Sequence, residues 1–290
     1  MASTQLLKTR IRSVKSTRQI TKAMQLVAAS KMRRAQEATK ASAAYTAAAR
    51  ELLAGLSNRT SVKNHPLFAK REIKSRLMIV IASDKGLAGA YNSNIVKMYV
   101  NELKADDKAG VKNKTITVGR KASQFVARLK DTEVLGAYEE LPDRPDGDEL
   151  RAILDSARTH FTSGEVDAVD VIYTSFISSI TQEAKVIRVL PAGFDETLQG
   201  PIAQDVTYEP STDAVLDGVT YRLVGAQIYQ ALLDARASEH SMRMLAMKNA
   251  SDNASDLIDD LTLEMNKARQ SAITQELAEI SGGVEALSDN

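Results

Sequence analysis

The sequence predicts a mixed α/β protein in which two long terminal helices form an antiparallel coiled coil, with a layered α/β domain inserted between them. Residues 1–54 and residues 226–281 contain neither glycine nor proline, so each stretch can form one long helix. All six prolines lie between positions 66 and 210. In that middle part, short apolar runs alternate with helical segments, which is typical of an α/β layer.

The first predicted helix, residues 1–57, is strongly basic. Residues 1–54 hold eleven Lys or Arg against two acids, a net charge of +9, whereas residues 249–290 hold nine acids against two cations, a net charge of −7. Charges of this size and opposite sign attract either the two ends of the chain to each other or separate partners to each end. The sequence alone leaves both alternatives open.

Apolar positions on both terminal helices follow the spacing of a coiled-coil seam. In the C-terminal stretch, steps of four and three residues alternate at Met247, Ser251, Ala254, Ile258, Leu261, Met265, Ala268 and Ala272. The first helix has a weaker seam, with a polar lapse at Thr17 and Arg18, at Leu7, Ile11, Val14, Ile20, Met24, Val27 or Ala28, Met32 and Ala35. We therefore predict antiparallel pairing, with Gly282 and Gly283 ending the second helix. The alternative is that both patterns are solvated faces of a helical bundle.

The middle of the chain is predicted to be a Rossmann-like α/β domain over residues 76–200. Four buried-strand runs lie at residues 76–83, 114–119, 166–176 and 183–191. The last two are close enough to form a hairpin. Helical segments lie at residues 93–104, 120–129 and 147–162. A connector, residues 201–217, then leads to the C-terminal coiled-coil helix, residues 218–290.

No residue pattern indicates a catalytic, cofactor or metal site. Cysteine is absent, which excludes disulfides and cysteine-based zinc sites, and the three histidines are scattered. The turn after the first predicted strand has only Gly86 and Gly89, so neither the dinucleotide-binding nor the phosphate-loop glycine motif is present. We therefore expect no cofactor, no metal and no catalytic residue in this chain.

The basic first helix is compatible with nucleic-acid binding, but a protein partner with acidic loops is the preferred interpretation. Its single aromatic residue, Tyr45, offers bases little to stack on, and the acidic last helix would repel a nucleic acid. No apolar run is long enough for a transmembrane helix, and the first residues lack the apolar segment of a signal peptide.

Four segments resemble the γ subunit of F-type ATP synthases. The terminal ones are RIRSVKSTRQITKAMQLVAASKMRRAQ, residues 10–36, and the stretch from ASEHSMRML to ISGGVEAL, residues 237–287. The internal ones are SDKGLAGAYNSNI, residues 83–95, and VTYEP, residues 206–210. The resemblance covers nearly the whole chain in order. Ala88 replaces a cysteine that is common in that family's turn.

The resemblance implies a non-catalytic rotor subunit. In that family the coiled coil penetrates a hexameric ring of α and β subunits, the α/β domain and connector stand on a membrane-embedded c ring, and the ε subunit is a further partner. Proton flow through the c ring turns the shaft, which shifts each β subunit among states of different nucleotide affinity. The implied location is the cytoplasmic face of the bacterial plasma membrane, and the mitochondrial inner membrane is the less favoured alternative.

The resemblance also implies which residues contact partners. Contacts with the α/β ring fall on Met24, Arg243, Arg269, Gln270, Thr274 and Glu276, and contacts with the c ring fall on Tyr208 and Glu209. For Met24 and Thr274, the alternative is packing in the coiled-coil seam. For the whole chain, it is a free coiled-coil module whose α/β head binds an acidic protein or a nucleic acid.

Overall fold

The computed structural model describes residues 4–57, 65–130, 132–143, 147–193 and 212–288. The elements in these parts of the chain are α1 (Thr4–Ser57), a 3-10 turn (Pro66–Phe68), β1 (Ser75–Ile81), α2 (Tyr91–Ala109), β2 (Lys112–Val118), α3 (Arg120–Val126), β3 (Glu133–Tyr138), α4 (Gly147–Thr162), β4 (Ala168–Phe176), β5 (Gln182–Leu190) and α5 (Thr212–Ser288).

The chain forms two compact units. The sheet unit is Ala28–Arg243, and the coil unit consists of the described residues of Met1–Val27 and Met244–Asn290. Helices α1 and α5 are each divided between the two units, with one segment in the coil unit and one in the sheet unit.

The sheet unit is built on five strands in the order β3-β2-β1-β4-β5. β1 pairs in parallel with β2 and β4, β2 pairs in parallel with β3, and β4 and β5 are antiparallel. Helices α2, α3 and α4 connect the parallel strands, because a parallel pair requires a crossover connection. The predicted hairpin and the predicted α/β layer are confirmed.

Two apolar cores cover the two faces of this sheet. On one face, Leu77 and Ile79 of β1 belong to a core shared with α4 and with segments of α1 and α5. On the other face, Met78 and Val80 pack with α2 and α3. Because both faces of β1 are buried, its sequence is a continuous apolar run rather than an alternating one.

Helices α1 and α5 are antiparallel in the coil unit. Leu7 and Ile11, near the start of α1, share an apolar cluster with Ile258 and Leu261 of α5. Further along α1, the Arg18 guanidinium donates to the Ser255 hydroxyl at 3.5 Å. Higher residue numbers on α1 therefore meet lower numbers on α5, and the predicted antiparallel pairing is confirmed.

Most of the predicted α5 seam is buried. The buried positions are Met247, Ser251, Ala254, Ile258 and Leu261. Met265 and Ala268 are half-buried, and both still pack against the cluster with α1. Ala272 is exposed, because the described contacts with α1 end at Ala268, so this last seam position is wrong.

The weaker α1 seam is confirmed only in part. The buried positions are Leu7, Ile11, Ala28 and Ala35. Ile20 is wrong as a seam residue, since 58% of it is exposed, and of the two alternatives at the next turn Ala28 is buried whereas Val27 is not. After the polar lapse, the half-buried positions include Thr21, Met24 and the predicted seam residue Met32. Ile20 precedes Thr21 by one residue, which rotates it about 100° away from the seam.

Helix α5 begins earlier than predicted and does not stop at its glycine pair. It begins at Thr212, inside the predicted connector, and it continues through Gly282 and Gly283 to Ser288, so the predicted helix stop is wrong. A glycine inside a helix costs about 1 kcal/mol relative to alanine, a cost that a helix of 77 residues tolerates. At Gly225 the glycine also serves packing, because a Cβ there would lie 3.0 Å from Cδ2 of Leu154.

Strand β3 has no counterpart among the predicted strands. Its residues are half-buried or exposed, it contains Gly136, and its register with β2 shifts between Thr115 and Ile116. An edge strand can be held by backbone hydrogen bonds to its one neighbour, so it needs little apolar patterning of its own.

A buried ion network is centred on Asp170 of β4. This carboxylate is 1% exposed and accepts hydrogen bonds from Arg76 of β1 and, at 2.8 Å, from Arg188 of β5. Arg76 also pairs with two acids of α2, Glu102 at 2.8 Å and Asp106 at 3.2 Å. The network thus ties three adjacent strands and one helix together.

We expect Asp170→Asn to lower the free energy of unfolding by about 1.5–3 kcal/mol, because Arg76 and Arg188 lose a charged, buried acceptor while Arg76 keeps its two acids of α2. Urea denaturation followed by circular dichroism measures this loss. The control is Glu165→Gln, which removes the half-exposed partner of Lys114 and should cost less than about 1 kcal/mol. Equal losses in the two variants would contradict the stabilising role of Asp170.

Asp234 of α5 is a second buried carboxylate, and it accepts a hydrogen bond from Nε2 of Gln230 at 3.0 Å. Burial raises the pKa of Asp234 to about 6, since Gln230 and the nearby Lys185 and Arg50 offset the desolvation only in part. In the unfolded chain the pKa of an aspartate is about 3.9. The folded state therefore binds this proton more tightly, and stability is lost as the pH rises from about 4 through about 6.

We expect Asp234→Asn to be more stable than the wild type by about 2 kcal/mol above pH 7 and to match it near pH 4, since the amide keeps the polar group without the charge. Thermal unfolding measured across this pH range tests it. Asp252→Asn changes an exposed acid on the same helix and should leave the pH dependence unaltered. A constant difference between Asp234→Asn and the wild type at every pH would contradict the assignment.

Candidate functional site

The four predicted contact residues near the end of α5 are all exposed: Arg269, Gln270, Thr274 and Glu276. At about 100° per residue, Arg269 and Glu276 share one face of the helix, and Gln270 and Thr274 share another. The Thr274 hydroxyl donates to the Gln270 carbonyl at 3.0 Å, a local bond within the helix. Thr274 therefore does not pack in the seam.

An exposed apolar stripe separates these two polar faces. It consists of Ile273, Leu277 and Ile280, which are 50%, 60% and 63% exposed. Their spacing of four and three residues puts them on one side of α5, beyond the last described contact with α1. The sequence interpretation missed these three residues, although the same spacing that defined the seam could have identified them. A contiguous exposed apolar surface of this kind marks a protein interface.

Met24 lies on α1 within the coil unit and is half-buried. Three large apolar side chains close to it in sequence are more than half exposed: Ile20, Leu26 and Val27. This segment of α1 therefore also presents apolar surface, and the placement of Met24 fits both partner contact and seam packing.

The basic residues of α1 form no ion pair with the acidic residues of α5 among the described residues. In the parts of the chain that the structure describes, no ion pair joins these two helices, and the one ion pair made by α1 links Lys31 to Asp143 at 3.0 Å. Within the described residues, the opposite charges of the two ends are therefore not matched by specific ion pairs between the two helices.

Arg243, the predicted contact residue in the sheet unit, is held by its own chain and is 12% exposed. Its guanidinium pairs with Glu239 at 2.8 Å and donates to the carbonyls of Lys85 at 3.0 Å and Gly86 at 3.3 Å. These carbonyls belong to the turn that follows β1, in which Leu87 adopts a left-handed backbone conformation with φ of 61°. Arg243 therefore fixes a strained turn.

Arg236 lies two helical turns before Arg243 on α5 and holds the same turn from a second point. It pairs with Asp84 at 3.3 Å and Glu239 at 3.1 Å, and it donates to the Leu141 carbonyl at 2.8 Å. We call Asp84, Arg236, Glu239 and Arg243 the turn cluster. No sequence signal distinguished Arg236 from the other basic residues of α5.

Asp84 also receives two backbone donors, the N–H groups of Glu140 and Arg120, each at 3.0 Å. Burial alone raises the pKa of Asp84, but these donors and the Arg236 guanidinium outweigh it and hold that pKa below its usual range. The carboxylate thus gathers the ends of β1 and β3 and the start of α3 around α5.

The chain matches known proteins over nearly its whole length. Residues 3–287 match a family model described as ATP synthase. The ATP synthase gamma chain of Stenotrophomonas maltophilia (strain R551-3) is 41% identical over 288 residues, which cover 99% of this chain and 100% of that protein. The chain belongs to the ATP synthase gamma chain family.

Other gamma chains, and chains in solved structures of ATP synthases, are also similar to this chain. The gamma chain of Cupriavidus necator (strain H16) is 41% identical over 292 residues. A chain from the central stalk and c-ring structure of Tetrahymena thermophila mitochondrial ATP synthase is 28% identical, with a TM-score of 0.63, over 80% of this chain and 99% of that one. A chain of Euglena gracilis mitochondrial ATP synthase has a TM-score of 0.71 at 18% identity, over 98% and 94%, and so shares the fold.

Two further findings concern membranes and metals. Within the described residues, no helix is both long and apolar enough to cross a membrane. In the same parts of the chain, no group of three or more His, Asp or Glu side chains is arranged to hold a metal ion.

Tyr208 and Glu209, the predicted c-ring contacts, lie outside the described residues.

We expect Arg243→Ala to speed hydrogen exchange of the backbone amides in the turn after β1 at least about tenfold, because the guanidinium bonds that fix this turn are lost. Global stability should fall by about 1–2 kcal/mol, since Glu239 keeps Arg236 as a partner. Hydrogen-exchange mass spectrometry on the isolated chain measures the first effect.

Arg222→Ala is the matched control, because Arg222 is an exposed arginine of the same helix. It should leave the exchange of the turn unchanged. Similar exchange rates in Arg243→Ala and Arg222→Ala would show that the turn holds its shape without Arg243.

Proposed function

We propose that this chain is the central-stalk rotor subunit of an F-type ATP synthase, coupling proton flow through a membrane-embedded c ring to ATP synthesis or hydrolysis in a hexameric α/β ring. The observation that carries the proposal is the end of α5, where Ile273, Leu277 and Ile280 form an exposed apolar stripe beyond the contacts with α1. Membership of the gamma chain family supports it.

The apolar stripe and its polar flanks have the composition of a protein interface, an apolar centre within a polar rim. In this proposal the stripe slides against the inner surface of the α/β ring. Arg269, Gln270, Thr274 and Glu276 form hydrogen bonds with the ring that depend on the angle of the shaft. A charge-assisted hydrogen bond contributes about 1.5–3 kcal/mol when it forms, which is enough to shift the populations of β-subunit states.

Met24 and Arg243 are the proposed contacts with β subunits. Met24 contributes apolar surface on α1 together with Ile20 and Val27. Arg243 acts through the turn that it fixes, because its donors are engaged with Glu239 and with turn carbonyls. The exposed side chain of Leu87 is then presented to β by a rigid turn.

The remaining partners are the ε subunit and the c ring, with Tyr208 and Glu209 proposed to contact the c ring. The chain supplies shape, charge and torsional stiffness, and nucleotide chemistry takes place on other subunits. We place it on the cytoplasmic face of the bacterial plasma membrane, held there through its partners.

The test is reconstitution with the α and β subunits of a related bacterium, measured as ATP hydrolysis and as rotation of a bead on the stalk. We expect the full chain to rotate in one direction. A chain ending before Arg269 should rotate with lower torque, since it lacks the stripe and its polar flanks.

A triple variant, Ile273→Ser with Leu277→Ser and Ile280→Ser, tests the stripe without removing the helix. It should raise the Kd for the α/β ring by about a hundredfold, if each side chain contributes roughly 1 kcal/mol of apolar burial. Ile177→Ser with Ile180→Ser, in the exposed turn between β4 and β5, is the control and should bind as the wild type does. Failure of the full chain to assemble or rotate would favour a free coiled-coil module instead.

A further inference from the structure

A groove of about 670 Å³ lies between α2 and α3, on the sheet face opposite to the segments of α1 and α5 that belong to the sheet unit. Its floor is apolar and is formed by Val96 and Val100 of α2 and Phe125 of α3. All three side chains are only half-buried by their own chain. The groove is therefore an accessible apolar surface on the face of the sheet that α2 and α3 cover.

Four basic side chains border this floor: Lys97, Lys104, Lys121 and Arg128. The lining residues that the structure describes include no carboxylate. They stand in two rows. Lys97 and Lys104 are seven residues apart on α2, about 10 Å at 1.5 Å per residue, and Lys121 and Arg128 are also seven apart, in α3 and just after it. Each row flanks one side of the apolar floor.

None of these four cations has an ion pair within the described parts of the chain. Elsewhere in the sheet unit, basic side chains on the same scaffold do pair. Arg120, adjacent to Lys121, bridges Glu139 at 3.2 Å and Glu140, and Lys114 lies between Glu133 at 3.4 Å and Glu165 at 3.1 Å. The groove therefore concentrates positive charge that the fold leaves uncompensated.

We propose that this groove binds an acidic amphipathic helix of a protein partner. An apolar stripe on such a helix fits the floor, and Asp or Glu residues seven apart on both flanks match the two rows of cations. Polar side chains at the rim, Asn101 and Gln124, can donate hydrogen bonds to carboxylates. This site goes beyond the proposed rotor function, because none of its lining residues belongs to α1 or α5.

The apolar floor distinguishes this partner from a nucleic acid. Affinity for a phosphate backbone needs cations but gains nothing from aliphatic side chains, and single strands need exposed aromatic rings on which to stack. Phe125 is the one aromatic lining residue among those described, and it packs against the core formed with α2 and α3. The charge and the floor together thus favour a peptide helix.

The experiment uses the full chain and two fluorescent peptides of about 20 residues with identical composition. In one, Leu occupies a seam and Glu flanks it at seven-residue spacing; in the other, the order is scrambled. Anisotropy at about 50 mM and about 300 mM NaCl separates charge from apolar contact. We expect the ordered peptide to bind at least about tenfold more tightly than the scrambled one at both salt concentrations, because only the ordered peptide presents an apolar stripe.

Lys97→Glu with Arg128→Glu, one exposed residue from each row, should weaken the ordered peptide at least about tenfold. Lys112→Glu with Lys130→Glu makes the same charge change on exposed residues outside the groove and should leave affinity unchanged. Val96→Thr, nearly isosteric, should weaken the ordered peptide but not the scrambled one.

Three outcomes would overturn the proposal. The first is equal weakening by the groove and control reversals, which would mean that net charge alone drives binding. The second is equal affinity for the ordered and scrambled peptides. The third is tighter binding of a 20-base-pair DNA duplex than of the ordered peptide, with the same sensitivity to Lys97→Glu and Arg128→Glu, which would identify a nucleic-acid site.

Discussion

The pairing of Arg236 with Asp84 is the interaction on which the arrangement of the sheet unit depends. Arg236 belongs to α5, and Asp84 belongs to the turn after β1 and collects backbone donors from the start of α3 and from the end of β3. A buried charge without its partner would be strongly destabilising, so each side of this contact requires the other. The helix can therefore not shift along the sheet without breaking several charged hydrogen bonds together.

The same interaction accounts for the absence of a nucleotide-binding pattern in a Rossmann-like fold. In open parallel sheets, ligands bind in the crevice outside the carboxyl ends of the strands. Here the carboxyl end of β1 is occupied by Arg236 and Arg243 from the chain's own helix. Gly119 closes the crevice further. With φ of 91°, a Cβ at this position would lie 2.2 Å from the Ala82 carbonyl oxygen, so the backbones at the ends of β1 and β2 touch directly. The crevice is therefore filled by contacts between α5 and the loops at the carboxyl ends of the strands.

The sequence predicts those parts of the fold that depend on apolar periodicity. The four apolar strand runs and the α5 seam were recognisable because burial on a defined face leaves a regular spacing. β3 was missed because an edge strand is held by backbone bonds, and Ile20 was misassigned because the polar lapse in α1 hides the phase of the seam. Gly282 and Gly283 failed as a helix stop because a glycine inside a helix weakens it by only about 1 kcal/mol and does not by itself end it.

The candidate site likewise has a part that the sequence predicts and a part that it does not. Exposure of Arg269 and its neighbours follows from the heptad pattern, since they fall off the seam. The engagement of Arg243 with the turn after β1 could not be predicted, because it joins residues about 160 positions apart whose contact exists only in the folded chain.

The uncompensated charges of the terminal helices can now be understood physically. Opposite net charges on two helices favour their association over a Debye length of about 8–10 Å without requiring any particular pair of side chains to meet. Individual surface ion pairs would add at most about 1 kcal/mol each, and each would hold two long side chains in a single geometry. Helices that pair through apolar seams and general attraction keep their charged side chains available. In the described parts of the coil unit, no ion pair joins the basic residues of α1 to the acidic residues of α5, and these side chains are therefore available for contacts with other proteins, contacts that a shaft must form and break repeatedly.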